Sequence, residues 1–78
     1  MELVIISPEG VLLNETADRV TLPGSMGAFS VLKSHAPLVS TLENGYITYI
    51  QNKKEKNYEI RGGVMVIEKD VVKVMVES

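Results

Sequence analysis

The residue best suited to acid–base chemistry in this chain is its single histidine, His35. Acyl-transfer catalysis by histidine needs a nucleophile within hydrogen-bond reach and a carboxylate that orients the imidazole. Ser34 is adjacent, but neighbouring side chains of an extended chain point to opposite sides. A lone histidine also lacks the further ligands that a zinc site needs. We therefore expect a loop histidine that hydrogen-bonds backbone or a partner protein, with no catalytic site and no metal site.

Three other groups of residues have types that serve chemistry elsewhere. The glutamates fall at strand ends, turns or polar faces, where a solvated role is the default. The segment Gly24 to Gly27 lacks the Lys-Ser/Thr ending and the following helix of a phosphate-binding loop, so we interpret its glycines as turn formers. Lys53, Lys54 and Lys56 are interrupted by Glu55 and are interpreted as a charged hairpin tip. We expect no cofactor.

Composition narrows the function classes. The 78 residues include 8 basic and 10 acidic side chains, which gives a net charge of −2, and the pI is near 5.3. Nucleic-acid binders draw most of their affinity from a basic excess, so we expect no nucleic-acid partner. The chain has no cysteine, and the apolar run from Leu3 to Ile6 is far shorter than the roughly 20 residues that span a bilayer. With no secretory or transit leader visible, we expect one domain over residues 1–78 that folds in the cytoplasm.

Apolar residues recur with a period of two, the spacing of strands that have one buried face. The pattern is clearest at Val20 and Leu22, at Tyr58 and Ile60, and at Val72, Val74 and Val76. Two runs, Leu3 to Ile6 and Val64 to Ile67, are apolar on both faces. Such strands lie centrally in a sandwich or are covered by something outside the domain.

Turn signals separate these strands at short intervals. Ser7-Pro8-Glu9-Gly10 suits a type I turn, and Pro23-Gly24 suits a type II turn with glycine at positive φ. The remaining signals are Glu43-Asn44-Gly45 before a strand from Tyr46 to Gln51, a polar hairpin tip at Asn52 to Asn57, and a two-residue turn at Lys69-Asp70. We find no sustained helical periodicity, and we predict an all-β sandwich or flattened barrel.

The segment from Leu22 to Leu42 carries apolar side chains on a turn-rich backbone. Met26 and Phe29 stand among glycine and proline turn residues, ahead of the irregular segment Lys33 to Pro37. Methionine adapts to contact surfaces, and aromatic side chains anchor interfaces. We therefore interpret Met26 as a contact residue, whereas for Phe29 an interface and a core position are equally open.

Taken together, the residues from Val20 to Gly45 resemble the signature of one family, through their Leu-Pro-Gly turn, Met-Gly-Ala-Phe and His-Ala-Pro-Leu. The family is the epsilon subunit of the bacterial proton-translocating ATP synthase, and the resemblance is to its N-terminal β-sandwich domain. The opening Leu3 to Glu9 with Val11-Leu12, and Arg61-Gly62-Gly63-Val64, fit the same family. The resemblance covers essentially the whole chain.

The resemblance implies a sandwich of roughly ten strands in the central stalk of a rotary motor, peripheral on the cytoplasmic face of the bacterial inner membrane. One side would pack on the gamma subunit and one end on the c-ring, so that this non-catalytic subunit helps couple proton flow to ATP synthesis. Carried over by position, the candidate contact residues are Met26, Gly27, Ala28, Phe29, His35, Ala36, Pro37 and Leu38. We call this set the predicted contact surface.

The sequence departs from the family pattern at several positions. Relatives usually carry glycine at the position of Ser30 and Pro-Gly at Lys33-Ser34, which changes the stiffness of the loop that orients His35. Many carry an acidic residue where Ala28 stands, so a charged contact to the ring would be lost. Relatives also continue into a C-terminal helical hairpin that brakes ATP hydrolysis. We expect neither ATP binding nor this inhibition from residues 1–78.

A carrier domain for lipoate or biotin is the alternative from another class. Such domains are small, all-β and acidic, and they present one modified lysine at a hairpin tip. Lys69, between Glu68 and Asp70, would be that lysine, although the flanking residues that the modifying enzymes expect are missing. Intact mass distinguishes the two functions, because a lipoyl or biotinyl adduct adds a defined mass.

Overall fold

The computed structural model describes residues 1–33 and 36–77, and within these ranges every regular element is a β-strand. The strands are β1 (Glu2–Ser7), β2 (Gly10–Thr16), β3 (Arg19–Leu22), β4 (Phe29–Leu32), β5 (Leu38–Gln51), β6 (Lys54–Glu68) and β7 (Val71–Val76). They hydrogen-bond in the order β2-β1-β7-β6-β5-β3-β4. All neighbouring pairs are antiparallel except β1 and β7. The predicted all-β class is confirmed.

The sheet folds over on itself because its two longest strands bend. A straight strand of 15 residues, the length of β6, would extend for about 50 Å, whereas the longest dimension of the molecule is 28 Å. The buried positions of β5 change phase between Leu42 and Ile47. Opposite this change, β6 carries Gly62 and Gly63 at φ 119° and 157°.

The bend creates the two layers of a sandwich. Residues 38–42 of β5 and 63–68 of β6 pair within the first layer, together with β2, β1 and β7. Residues 44–51 of β5 and 54–61 of β6 pair within the second layer, together with β3 and β4. The predicted sandwich is therefore present, with seven strands rather than roughly ten, because β5 and β6 each serve both layers.

The core lies between the layers and is aliphatic apart from Tyr49 and Met65. The first layer contributes Leu3, Ile5, Leu42, Met65, Ile67, Val72, Val74 and Val76, and the second contributes Val20, Leu22, Val31, Ile47, Tyr49 and Ile60. Each set follows the period of two that the sequence shows. Burying such side chains is the main favourable contribution to folding, at roughly 1.5–3 kcal/mol for each large aliphatic residue.

Two predicted turns are wrong in detail. Glu43-Asn44-Gly45 is not a turn between strands, because β5 runs through it; the segment lies at the bend, where Glu43 has no partner in the ladder. The hairpin tip predicted for Asn52 to Asn57 is only two residues long, since Gln51 already pairs with Lys54. In both cases, backbone pairing with β6 overrides the local preference of polar residues for turns.

The Pro23-Gly24 turn also differs from the prediction. Gly24 N–H donates to the Leu22 carbonyl at 3.0 Å, a three-residue turn centred on Pro23, and Gly24 is not among the residues with positive φ. Glycine is required there for space. A Cβ on Gly24 would lie 2.7 Å from both the Phe29 ring and the Gly27 carbonyl oxygen.

The β5–β6 hairpin offers a stabilising substitution. Asn52 and Lys53 both have positive φ, at 52° and 65°, as in the two-residue turns that favour Asn-Gly. A lysine in this conformation is strained, whereas glycine is not. Lys53→Gly is therefore expected to raise the free energy of unfolding by about 1 kcal/mol. Urea denaturation followed by circular dichroism measures this free energy. Lys54→Gly is the control: Lys54 is the first residue of β6, outside the turn, and glycine there should lower the free energy of unfolding.

Candidate protein-docking site

The first half of the predicted contact surface forms an exposed turn beside the first layer. Gly27 N–H donates to the Gly24 carbonyl at 3.0 Å, which closes a turn with Met26 at its tip. The Met26 side chain is fully exposed, and Gly27 and Ala28 are exposed as well. Phe29 is half-buried and packs against the core cluster. The structure thus places Phe29 partly in the core.

The second half of the predicted contact surface leads into β5. Ala36 and Pro37 are exposed, and Leu38 is 38% exposed at the first position of the strand. His35, with Ser34 beside it, lies outside the described residues. The contact role of all these positions remains a prediction.

Two hydrogen bonds attach the Met26 turn to the edge of β5. Ser25 N–H donates to the Thr41 carbonyl at 3.0 Å, and the Thr41 hydroxyl donates to Ser25 Oγ at 2.9 Å. Thr41 is three residues along β5 from Leu38, which corresponds to about 10 Å. The described parts of the predicted contact surface therefore border the same edge of the first layer.

The outward side of the first layer is apolar, a feature that the resemblance does not specify. One row across the strands runs Val11, Ile6, Met75, Val64 and Thr41, and the next runs Asn14, Val4, Lys73, Val66 and Val39. We call the apolar members of these rows the outer patch: Val4, Ile6, Val11, Val39, Val64, Val66 and Met75. Its most exposed side chains are Val39 at 68% and Val11 at 62%.

The outward side of the second layer is polar in the corresponding place. The Thr21 and Ser30 hydroxyls hydrogen-bond at 2.8 Å, and the Thr48 hydroxyl donates to Asn57 Oδ1 at 2.8 Å. A hydroxyl ladder of this kind suits a water-exposed sheet, whereas contiguous aliphatic side chains are rarely left exposed on a soluble domain. The outward side of the second layer also exposes Leu32 and Tyr46, at 58% and 59%, but the contiguous aliphatic surface lies on the first layer.

The sequence contains a signal for the outer patch, although it does not identify the patch. The runs Leu3 to Ile6 and Val64 to Ile67 are apolar on both faces, and the structure puts Leu3, Ile5, Met65 and Ile67 in the core. Their alternate residues face outward, where Val64 is exposed and Val4, Ile6 and Val66 are half-buried. Both runs lie within the sheet, with a hydrogen-bonded strand on each side, and cover of their outward residues by something outside the domain stays a prediction.

A separate polar cluster joins the open side of the two layers. Tyr49 on β5 donates a hydrogen bond to the Glu15 side chain on β2, and Lys56 Nζ lies 3.9 Å from Glu15 Oε2. Lys56 Nζ also donates to Gln51 Oε1 at 2.8 Å, and Gln51 Nε2 donates to the Thr16 carbonyl at 3.0 Å. These contacts hold β2 against the second layer, although Glu15 Oε2 is buried and no described group donates a hydrogen bond to it. Within the described ranges, no group of three or more His, Asp or Glu residues is placed to bind a metal ion.

The polar cluster predicts a loss of stability at alkaline pH. Burial, with the hydrogen bond to Glu15 and the negative charge of Glu15, raises the pKa of Tyr49 from 10.0 to about 12. Between pH 10 and 12, an unfolded tyrosine ionises while the folded Tyr49 stays neutral, so folding loses roughly 2–3 kcal/mol as pH rises through this window and none below it. Tyr49→Phe should remove that loss, measured by urea denaturation at pH 9 and 12. Tyr46→Phe is the control, since the Tyr46 ring is exposed on the same strand, and an equal benefit from both variants would contradict the assignment.

Comparison with known proteins identifies the family to which this chain belongs. Residues 1–78 match the family described as "ATP synthase, Delta/Epsilon chain, beta-sandwich domain". The chain is similar to the ATP synthase epsilon chain of Desulfitobacterium hafniense, 37% identical over 97% of this chain and 58% of the relative. It is also similar to the epsilon chain of an Anaeromyxobacter species, 33% identical over 100% of this chain and 59% of the relative. The chain therefore spans somewhat less than two thirds of the length of these relatives.

Solved structures share the fold at lower identity. A chain in the Euglena gracilis mitochondrial ATP synthase, in a structure of OSCP, F1 and the c-ring, superposes with a TM-score of 0.89 at 23% identity over 97% of this chain and 49% of that one. A chain in the central stalk and c-ring structure of the Tetrahymena thermophila enzyme gives 0.80 at 14% identity over 100% and 63%. The family match spans the whole chain, and the sequence-based recognition is confirmed: this chain belongs to the delta/epsilon-chain family of ATP synthases, as its β-sandwich domain.

Proposed function

We propose that this chain is a non-catalytic component of the central stalk of a rotary ATP synthase, which docks on the gamma subunit and on the c-ring. The outer patch is the surface for the gamma subunit, and the predicted contact surface around Met26 and Pro37 is the surface for the ring. The family match supports the non-catalytic role. The structural neighbours, one in a central stalk and c-ring structure and one in a structure of OSCP, F1 and the c-ring, support membership in that complex. The carrier alternative at Lys69 gains no support from these comparisons.

The observation that carries the proposal is the difference between the two outward sides of the sandwich. Covering the outer patch removes aliphatic surface from water, which favours association by about 25 cal/mol for each Å² of apolar area buried. The hydroxyl ladder of the second layer would gain nothing comparable. The Met26 turn borders the patch at Thr41, so a stalk subunit and a ring meeting at this edge would contact adjacent surfaces of one rigid body.

Rigidity is the mechanical contribution of this fold. A core packed to crystal-like density resists deformation, and each layer is cross-linked to the other through the continuous strands β5 and β6. Torque applied at the ring contact would reach the gamma contact without being absorbed inside the domain. Membrane association would be indirect, through the ring, on the cytoplasmic face of a bacterial membrane.

The experiment is a binding titration of the purified chain against the gamma subunit of the same organism. We expect a complex with a dissociation constant of micromolar or below, and c-rings that co-purify when gamma and this chain are both present. Failure to bind gamma at micromolar concentrations would contradict the proposal. Intact mass on the same sample tests the carrier alternative, because an unmodified mass from cells that lipoylate and biotinylate other proteins removes it.

A further inference from the structure

Lys73 is the single charged residue within the two rows that contain the outer patch. It stands on β7 between Val4 on β1 and Val66 on β6, and the next row holds Ile6, Met75 and Val64. A partner that covers the patch therefore also covers this ammonium group. The partner surface must therefore supply a counter-charge to the ammonium group or leave that group in contact with water.

Lys73 has no ion-pair partner among the described residues, where the ion pairs within 4.0 Å involve other groups. The nearest carboxylates along the sheet are Glu2 and Glu68, which pair with Val71, two residues away on β7. A hollow of about 470 Å³ lies between these positions, lined by Val66, Glu68, Lys69, Val71, Lys73 and Met75. It presents an apolar floor, with two lysines and the carboxylate of Glu68 at its border.

From this arrangement we propose that the partner presents a carboxylate to Lys73, next to an apolar side chain that fills the hollow on the outer patch. The inference rests on the proposed function and specifies the chemistry of the same interface. An ammonium group that loses its water without gaining a counter-charge opposes association strongly, whereas a close carboxylate compensates. Charge complementarity therefore predicts that the partner surface facing the patch is apolar with one acidic side chain, rather than uniformly apolar.

A carboxylate facing Lys73 would make binding at the outer patch specific for one kind of partner. Wrong partners that are apolar but lack the acid are rejected, because they would bury an unpaired lysine. Glu68 at the border adds to this discrimination, since a partner carboxylate displaced toward β6 would meet a like charge.

The test compares gamma binding by the wild-type chain, Lys73→Met, Lys73→Glu and the control Lys54→Glu. Lys73→Met keeps the length and apolar stem of the side chain and removes the charge. We expect Lys73→Met to weaken binding about 30-fold or more, and Lys73→Glu to weaken it further through repulsion. Lys54, which is exposed at the first position of β6, should tolerate the same charge reversal. Unfolding curves of the variants should match the wild type, which separates binding from folding.

The outcomes distinguish this inference from the function on which it rests. Lys73→Met that binds as well as or better than wild type overturns the carboxylate, while leaving gamma docking in place. A wild-type chain that does not bind gamma overturns both. Dimerisation of the isolated wild-type chain that Val39→Lys abolishes would assign the patch to a second copy and overturn the proposed partner. A gamma variant with one acid changed to lysine that restores binding to Lys73→Glu identifies the partner carboxylate.

Discussion

Gly63→Ala is expected to lower the free energy of unfolding by about 3 kcal/mol, a large share of the stability of so small a domain. A Cβ at this position would overlap the Met75 carbonyl oxygen and lie 3.2 Å from Val76 Cα. Both obstacles are backbone atoms of β7, which pairs with β6 through Gly63 and Val76, so neither can move without breaking the ladder. Urea denaturation followed by circular dichroism measures the loss.

Gly10→Ala is the matched control for this prediction. Gly10 also has a positive φ, at 134°, but a Cβ there would meet nothing within 4 Å. The control therefore carries the conformational strain without the overlap, and we expect it to cost about 1 kcal/mol. Equal losses in the two variants would show that the close approach of β6 to β7 adds nothing to the cost of Gly63→Ala.

Val39→Lys is expected to weaken binding to the gamma subunit by about 30-fold or more. Val39 is the most exposed member of the outer patch, at 68%, so lysine is accommodated in the free chain. In the complex its ammonium group would be buried against an apolar surface without a counter-charge, at a cost of at least about 2 kcal/mol. A titration against gamma measures the change.

Tyr46→Lys provides the comparison for Val39→Lys. Tyr46 is on the same strand and 59% exposed, but it lies past the bend, in the second layer. We expect its binding to equal that of the wild type. If Tyr46→Lys weakened binding and Val39→Lys did not, the second layer would be the docking side, and the assignment of the outer patch would be wrong.

The strands follow from the sequence because each depends on a local pattern. Val20 and Leu22, or Val72 and Val74, alternate with polar residues, and the structure buries them as a period of two requires. The two-residue turn at Lys69-Asp70 is also confirmed, with both residues at positive φ. The bend in β5 does not follow, since Glu43-Asn44-Gly45 has the composition of a turn and only pairing with β6 makes it part of a strand.

The candidate site depends on register, which a single sequence does not specify. Val11, Val39 and Met75 come from three strands far apart in the chain and share a surface only once β2, β1, β7, β6 and β5 are aligned. The polar cluster of Glu15, Tyr49 and Lys56 is likewise assembled across strands. In contrast, the local sequence of the turn around Met26 is enough to predict a contact residue there, and the structure exposes the Met26 side chain fully.

Single-cysteine labelling tests the central claim, that the outer patch is covered in the stalk. The chain contains no cysteine, so Val39→Cys and Tyr46→Cys each introduce one reactive group on opposite sides of the sandwich. In the free chain, both variants should react rapidly with a maleimide. Bound to a cysteine-free gamma subunit, Val39→Cys should be protected while Tyr46→Cys reacts as before. A Val39→Cys variant that labels equally fast in the complex would contradict the account.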